Sequence, residues 1–386
     1  MPLPPLGEQR RIVAEIEKHL TRVAAAVAGL ERVRANLKRY RASVLKAACE
    51  GRLVPTEAEL ARAEGREYEP ASILLARILE ERRARWEAEQ LAKMRATGKA
   101  PKDDGWKAKY TPPSEPKSAT TVQLPEGWCL ATVEQLSALV DYGTSARTQQ
   151  EPGGVPVLRM GNIADGALGL RDLKYLPEGH AEFPRLLLSD GDVLFNRTNS
   201  TELVGKTAVY RGYPAPCSFA SYLIRVRLLS GCLPGVLASS INSLLGRNWI
   251  ASVVSQQVGQ ANVSGSKLQA YAVRLPPLAE QHRIVAEIER RLSVAEEMER
   301  AVEAGLRRAE RLRQAILKRA FEGKLVPQDP NEEPASGLLD RIRAERERAA
   351  PQKGAGAAKR RPRAEADGAA REWPLFAEAV STRGEA

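Results

Sequence analysis

The side chains that could carry out chemistry are few and poorly spaced for it. Gly205-Lys206-Thr207 matches the end of a phosphate-binding loop, but Ser200 stands where the first glycine of that motif must be. Asp165, Asp172 and Lys174 could be forced into a metal-dependent nuclease cluster, a pattern too degenerate to favour. Three histidines (His19, His180, His282) and four cysteines (Cys49, Cys129, Cys217, Cys232) show neither C-x-x-C pairing nor metal-ligand spacing, which argues against structural zinc, haem and a disulfide framework. No glycine-rich turn precedes a helix as nucleotide cofactors require. No Asn/Asp-Pro-Pro-aromatic run offers an amino-methyltransferase site. The expectation is a chain without catalytic residues, cofactor or metal. Two runs are suited to binding instead: FNRTNSTELVGK (195–206) and SQQVGQANVSGSK (255–267). Their Asn, Gln, Arg, Ser and Thr side chains can pair with base edges and phosphates, although such loops are also common as plain surface turns. The candidates for DNA contact are Arg159, Asn162, Lys174, Asn196, Arg197, Thr198, Asn199, Ser200, Lys206, Gln256, Gln257, Gln260, Asn262, Ser264 and Lys267.

Elements must hold these loops, and an internal repeat supplies them. Leu3 to Pro55 aligns without a gap on Leu275 to Pro327 at an offset of 272, with about 25 identities in 53 positions. The copies open LPPLGEQRRIVAEIE and LPPLAEQHRIVAEIE and close ACEGRLVP and AFEGKLVP; EPASILLARI (69–78) echoes EPASGLLDRI (333–342). No proline interrupts either copy after its Pro-Pro pair, so each reads as one helix, about 65 Å long at 1.5 Å per residue. Glu8 and Glu280 suit the first turn. Gly51 and Gly323 suit the left-handed C′ position, closed by Leu53 and Leu325. Val13, Ile16, Leu20, Val23, Val27 and Leu30 recur at three and four residues, a coiled-coil seam, with Val33, Leu37, Tyr40 and Val44 continuing it. The second copy offers Val285, Ile288, Leu292, Ala295, Val302, Leu306, Ala309, Leu312 and Ile316. Two such helices in one chain are expected to pair with each other, antiparallel, so that a domain preceding each helix lies at opposite ends of the pair.

The rest divides by composition. Residues 56–95 read as a charged helical extension, 96–123 as a Pro/Ser/Lys linker, 328–349 as a second helical extension and 350–386, with its KRRPR cluster, as a disordered tail. Residues 124–275 hold 11 of the 19 aromatics and 16 of the 29 glycines, which marks the globular block. VPVLRMGNI, DVLFNRT, GKTAVYRG and SYLIRVRLL read as strands and GVLASSINSLLGRNWIASVV as a helix. The chain carries a net charge of +11, but this block has 13 Lys+Arg against 11 Asp+Glu, so charge alone does not make it a DNA binder. No apolar run approaches the ~18 residues of a membrane span, which points to a cytoplasmic protein.

The LPPL-x-EQ-x-RIV-x-EIE opening, the EG-x-LVP exit, WKAKYTPPSEP ahead of LPEGW (124–128), and L-x-GDVLFNRTNS with a following VGKTA (187–208) together resemble the specificity subunit of type I restriction–modification systems, over nearly all of residues 1–345. The resemblance implies an α+β chain: one mixed, mostly β target recognition domain (124–275) flanked by two long helices forming an antiparallel coiled coil, the central conserved helix (1–55) and the distal one (276–327). It implies a non-catalytic DNA reader. Recognition domains each read one half of a split site, and the helices separate them and dock methyltransferase subunits that carry S-adenosylmethionine. A restriction motor-nuclease subunit can join them. Relative to that pattern the first recognition domain is missing. A second could be supplied by self-association of two copies through their apolar seams, the favoured expectation, or by complementation with a separate chain. The competing readings are a coiled-coil scaffold or adaptor whose globular block binds protein, and a nuclease using Asp165, Asp172 and Lys174.

Overall fold

The computed structural model describes residues 3–98, 101, 103–117, 123–257 and 260–349. The tail from 350 with its KRRPR cluster, and part of the 96–123 linker, lie outside the described residues. In chain order the helices are α1 (Leu6–Cys49), α2 (Glu57–Glu64), α3 (Ala71–Ala96), α4 (Val133–Leu136), α5 (Pro234–Asn242), α6 (Leu244–Val253), α7 (Gly265–Gln269), α8 (Leu278–Phe321) and α9 (Ala335–Ala349). The strands are β1 (Cys129–Thr132), β2 (Ser137–Tyr142), β3 (Val155–Leu158), β4 (Ile163–Ala164), β5 (Ala167–Leu168), β6 (Lys174–Leu176), β7 (Val193–Asn196), β8 (Thr198–Asn199), β9 (Thr207–Val209), β10 (Ser218–Phe219), β11 (Leu223–Leu228), β12 (Ser255–Gln257), β13 (Gln260–Asn262) and β14 (Ala272–Leu275). The described residues form two compact units, one within 19–315 and one of 3–18 with 316–349.

The two repeat copies fold alike. Each helix follows its Pro-Pro pair and ends on a glycine at φ 67°. In α1 the Gly51 and Arg52 N–H groups donate to the Ala48 and Ala47 carbonyls; in α8 those of Gly323 and Lys324 donate to Ala320 and Arg319, the same two-bond closure. Only glycine adopts this φ without strain, so the two EG-x-L sequences stop the helices at equivalent residues.

In the larger unit, Val44 and Ala48 of α1 are buried with Ile284 and Ile288 of α8, while Leu37 packs with Ala295 and Val302, flanked by Leu30 and Leu306. Moving toward the start of α1 therefore moves toward the end of α8, which is antiparallel pairing. Arg41 grips Glu299 across the pair at 3.0 and 2.9 Å. In the smaller unit, Ile12 is buried with Ala320 and Val326, flanked by Ile16 and Leu325. The seam differs from the sequence reading at several residues. Val13 is 52% exposed and Ile12 takes its place; Val33, Tyr40 and Leu312 are also exposed. Val285 turns away from the pair toward Gly235 and the core of the middle block, and Ile284 faces the partner helix. Ile16, Leu20, Val23, Val27, Leu30, Leu292 and Leu306 are half-buried, and Ile288 and Val302 are buried.

The middle block, within the larger unit, centres on a four-stranded sheet, β2-β11-β7-β9, antiparallel throughout. β1 and β14 pair antiparallel where the chain enters and leaves the block, so its two ends are tied together. The run read as one helix is broken at Ser243, whose hydroxyl accepts the Gly246 N–H at 3.3 Å and starts α6. The main core lies between the sheet and α5, and Ala71, Leu74 and Ile78 of α3 complete it. The charged extension is thus two helices, with α3 half-embedded in the block. The described part of the linker is also fixed. Trp106 is buried and stacks on Trp86 of α3 at 5.9 Å, Tyr110 meets the same indole edge-on at 5.3 Å, and the Ser114 carbonyl accepts the Thr132 hydroxyl.

One buried ion pair braces the sheet. Arg225, 1% exposed on β11, donates to both carboxylate oxygens of Asp141 at 2.9 and 2.8 Å and to the Leu187 and Arg185 carbonyls. Arg227 grips Asp192 two residues on. A guanidinium this deep is tolerated because nearly every donor is used.

Candidate nucleic-acid interface

β7 carries the chain out of the sheet core, and it returns as β9 after the connection 197–206, which includes β8. The Asn196 N–H donates to the Lys206 carbonyl and the Gly205 N–H to the Asn196 carbonyl, at 2.9 and 2.7 Å. Gly205-Lys206-Thr207 is therefore the return arm of a hairpin and not the start of a helix. Beyond Asn196, β8 leaves the sheet and pairs with β13, Asn199 opposite Ala261 and Thr198 opposite Asn262; β13 pairs in turn with β12. The Val263 N–H donates to the Arg197 carbonyl at 2.9 Å and extends this join. The two polar runs, some 60 residues apart in sequence, are thus strands of one small sheet.

Beside this sheet opens a cleft of about 680 Å³, lined by Arg159, Asn199, Lys206, Thr144, Ser145 and Tyr222 among others. Asn199, half-buried, belongs to both the cleft and the small sheet, and Ser200 next to it is exposed. Arg197 lays its guanidinium over the Tyr142 ring at 4.8 Å and donates to the Ser221 carbonyl. Arg159 donates to the Asp172 carbonyl at 2.6 Å, leaving its Nε buried without a partner.

Several residues expected on a contact face serve the fold instead. Asn162 is 4% exposed and spends its whole side chain locally, accepting the Arg159 N–H and donating to the Gly169 and Arg171 carbonyls. Asn196 is fully buried with its Oδ1 unpaired, and Thr198 is nearly so. The Ser264 hydroxyl caps α7 by accepting the Lys267 N–H. The Lys267 ammonium donates to the Val253 carbonyl at the end of α6 and to the Ser255 hydroxyl. Gln260 is exposed, and Asn262 and Lys174 are half-buried. Gln256 and Gln257 lie on β12, and their side chains lie outside what is described. The sequence reading passed over Thr144, Ser145 and Tyr222. TSARTQQ (144–150) has the same polar composition as the two chosen runs, and that composition was the signal.

Among the described residues no group of three His, Cys, Asp or Glu side chains could hold a metal, and no helix is long and apolar enough to cross a membrane. Burial pushes the Cys129 thiol up to about 11 and the Cys217 and Cys232 thiols up to about 12, far from a reactive thiolate.

The chain thus combines a mixed, sheet-rich block packed on α3, a pair of repeated helices, and polar strands beside a cleft. No family model matches the chain. By sequence it is similar to type I restriction enzyme specificity subunits. It is 27% identical over 356 residues to the EcoKI specificity subunit of Escherichia coli K12, covering 90% of this chain and 64% of that protein. It is 27% identical over 230 residues to the StySPI subunit of Salmonella potsdam, covering 57% and 50%. A solved chain from a type I R-M system aligns over 84% of this chain and 62% of its own, at 22% identity and a TM-score of 0.47. The chain spans less than two thirds of the length of these relatives.

Proposed function

We propose that this chain is a DNA-reading specificity subunit that does no chemistry itself. Its middle block reads one half of a bipartite sequence, and its helix pair docks methyltransferase subunits that bind S-adenosylmethionine and modify the DNA. A restriction subunit joins the same assembly. The relatives named above support the class. The observation that carries the reading of the site is the convergence of the two polar runs in one small sheet beside a cleft that holds Arg159 and Lys206. Bases are read by Asn199, Ser200 and Gln260, with the exposed Arg147 and Gln149 beside them, while Lys206 and Arg159 meet phosphates. The test is selection from a random duplex pool by the chain together with its methyltransferase subunit. The expected product is one short conserved half-site. A pool that stays random would mean that the block binds something other than DNA, and metal-dependent cutting by the chain alone would mean a nuclease.

A further inference from the structure

Between β8 and β9 the chain makes a closed turn, residues 200–206. The Leu203 and Val204 N–H groups donate to the Ser200 carbonyl at 3.0 and 2.9 Å. The carbonyls of Glu202 and Val204 share one donor, Arg247 of α6. Its Nη2 reaches the first at 3.0 Å and its Nη1 the second at 2.5 Å. The Gly205 carbonyl accepts the Thr207 hydroxyl at 3.0 Å. A guanidinium suits the double grip, because its planar fork presents N–H groups at fixed spacing.

Further contacts fix α5 and α6 against the same segment. Gly205 has φ 81°, and a β-carbon there would lie 2.2 Å from Ile250 Cδ1 and 3.3 Å from the Arg247 guanidinium. Val204 and Ile250 are buried together in the main core. At the end of α5, Asn242 accepts the Thr207 N–H at 3.1 Å and donates to the Thr207 carbonyl at 2.7 Å. β9 is an edge strand, and this amide gives it the pair of bonds that a neighbouring strand would. The chain is therefore held just before and just after Lys206. Lys206 and Asn199 line the cleft of about 680 Å³, whereas Arg247 lines a neighbouring cavity of about 890 Å³ that shares Lys206 with it.

We propose that Arg247 is a positioning residue for sequence discrimination: without touching DNA it fixes the 200–206 turn, and with it the directions in which Asn199, Ser200 and Lys206 meet the duplex. The inference rests on the DNA-reading role of the cleft and adds what sets the geometry of that reading, a side chain 45 residues beyond Glu202 in sequence. A turn released from the fork keeps its polar groups and its charge but loses their fixed placement. Attraction to phosphates tolerates such a shift, and hydrogen bonding to base edges does not.

The test uses Arg247→Met, which keeps the apolar stem and loses the fork, in the full chain, with Asn248→Ala at the exposed next residue as the control. Hydrogen–deuterium exchange without DNA should quicken about tenfold at 203–206 and stay unchanged in β11. With methyltransferase subunits present, discrimination between the selected half-site and its single-base variants should fall about fivefold or more. Affinity for random duplex and its salt dependence should match the parent. In Arg247→Lys one ammonium replaces the fork, so the same losses should appear in lesser degree; this variant is read alone if R247M does not fold. Equal weakening on every sequence, with a lower melting temperature, would make Arg247 a scaffold residue only. A salt slope reduced by about 1 would make it a phosphate contact. Unchanged exchange or unchanged discrimination would mean that the turn holds itself. Each of these overturns the inference and leaves the DNA-reading proposal intact. A parent that selects no half-site overturns that proposal, and this inference with it.

Discussion

Two carboxylates at equivalent positions of one repeat, Glu280 and Glu8, are held to different standards. Around Glu280 every neighbour is covered: Trp128 and the Glu57 backbone satisfy the acid, Gln281 reaches into the 231–233 loop, and Val285 packs on the middle block. Around Glu8 the same residue types stand at the same spacing, yet Oε1 is unpaired and Leu6 and Val13 face outward. A repeated pattern of side chains thus packs as core throughout in one place, while in the other Leu6 and Val13 face outward and the acid stays buried. The difference comes from what lies against it.

The comparison is sharpest in stability. Glu280→Ala leaves two buried donors, the Trp128 indole and the Glu57 N–H, without an acceptor, at about 1–3 kcal/mol each. Glu8→Ala removes an acid whose Oε1 bonds nothing, so its effect should stay within about 1 kcal/mol, most of it the helix-start charge. Denaturant melts of the two variants check this, and equal losses would break the comparison.

Next in size is the helix seam. Leu37→Ala opens a cavity between α1 and α8 and should cost about 2–5 kcal/mol. Val13→Ala, at an exposed position, should change stability by less than about 0.5 kcal/mol. A large loss at Val13 would restore the register read from the sequence. In the cleft, Lys206→Ala should weaken all DNA sequences alike and reduce the slope of log affinity against log salt by about 1.

The smallest expected effect is at Glu287, where Arg290 and Arg291 hold the carboxyl down at about 2 against an ordinary 4.5. Because the folded-state value is depressed, its contribution is complete above the ordinary range and fades as pH falls toward 2. The gap in melting temperature between the parent and Glu287→Gln should therefore be slight at pH 6 and closed near pH 2.

How much of this was legible in the sequence follows from what each signal encodes. The repeat and the helix ends at Gly51 and Gly323 follow from backbone rules and apolar spacing, which are local; the antiparallel sense of the pair does not follow from spacing and rests on placing the domains ahead of each helix at opposite ends. The seam register was less so. Ile12 and Val13, like Ile284 and Val285, are adjacent apolar residues, and spacing alone does not choose between neighbours when one of them packs on a third element. The break at Ser243 was hidden inside an apolar run. In the site, composition located the polar runs but could not tell which polar groups are spent inside the fold. Asn162 and Lys267 look like ligand-binding residues in sequence and are loop clamps in the structure. Trp106 was the readable hint that the linker is anchored, since an indole in a Pro/Lys stretch needs something to pack on.

The claim that the cleft reads bases is tested most directly by measuring affinities of the parent and Asn199→Ala, with methyltransferase subunits present, for the selected half-site and for its single-base variants. The account predicts a loss of about 1–3 kcal/mol on the selected sequence, with discrimination relaxed at one base pair and the salt dependence unchanged. An equal loss on every sequence, or none at all, would contradict it.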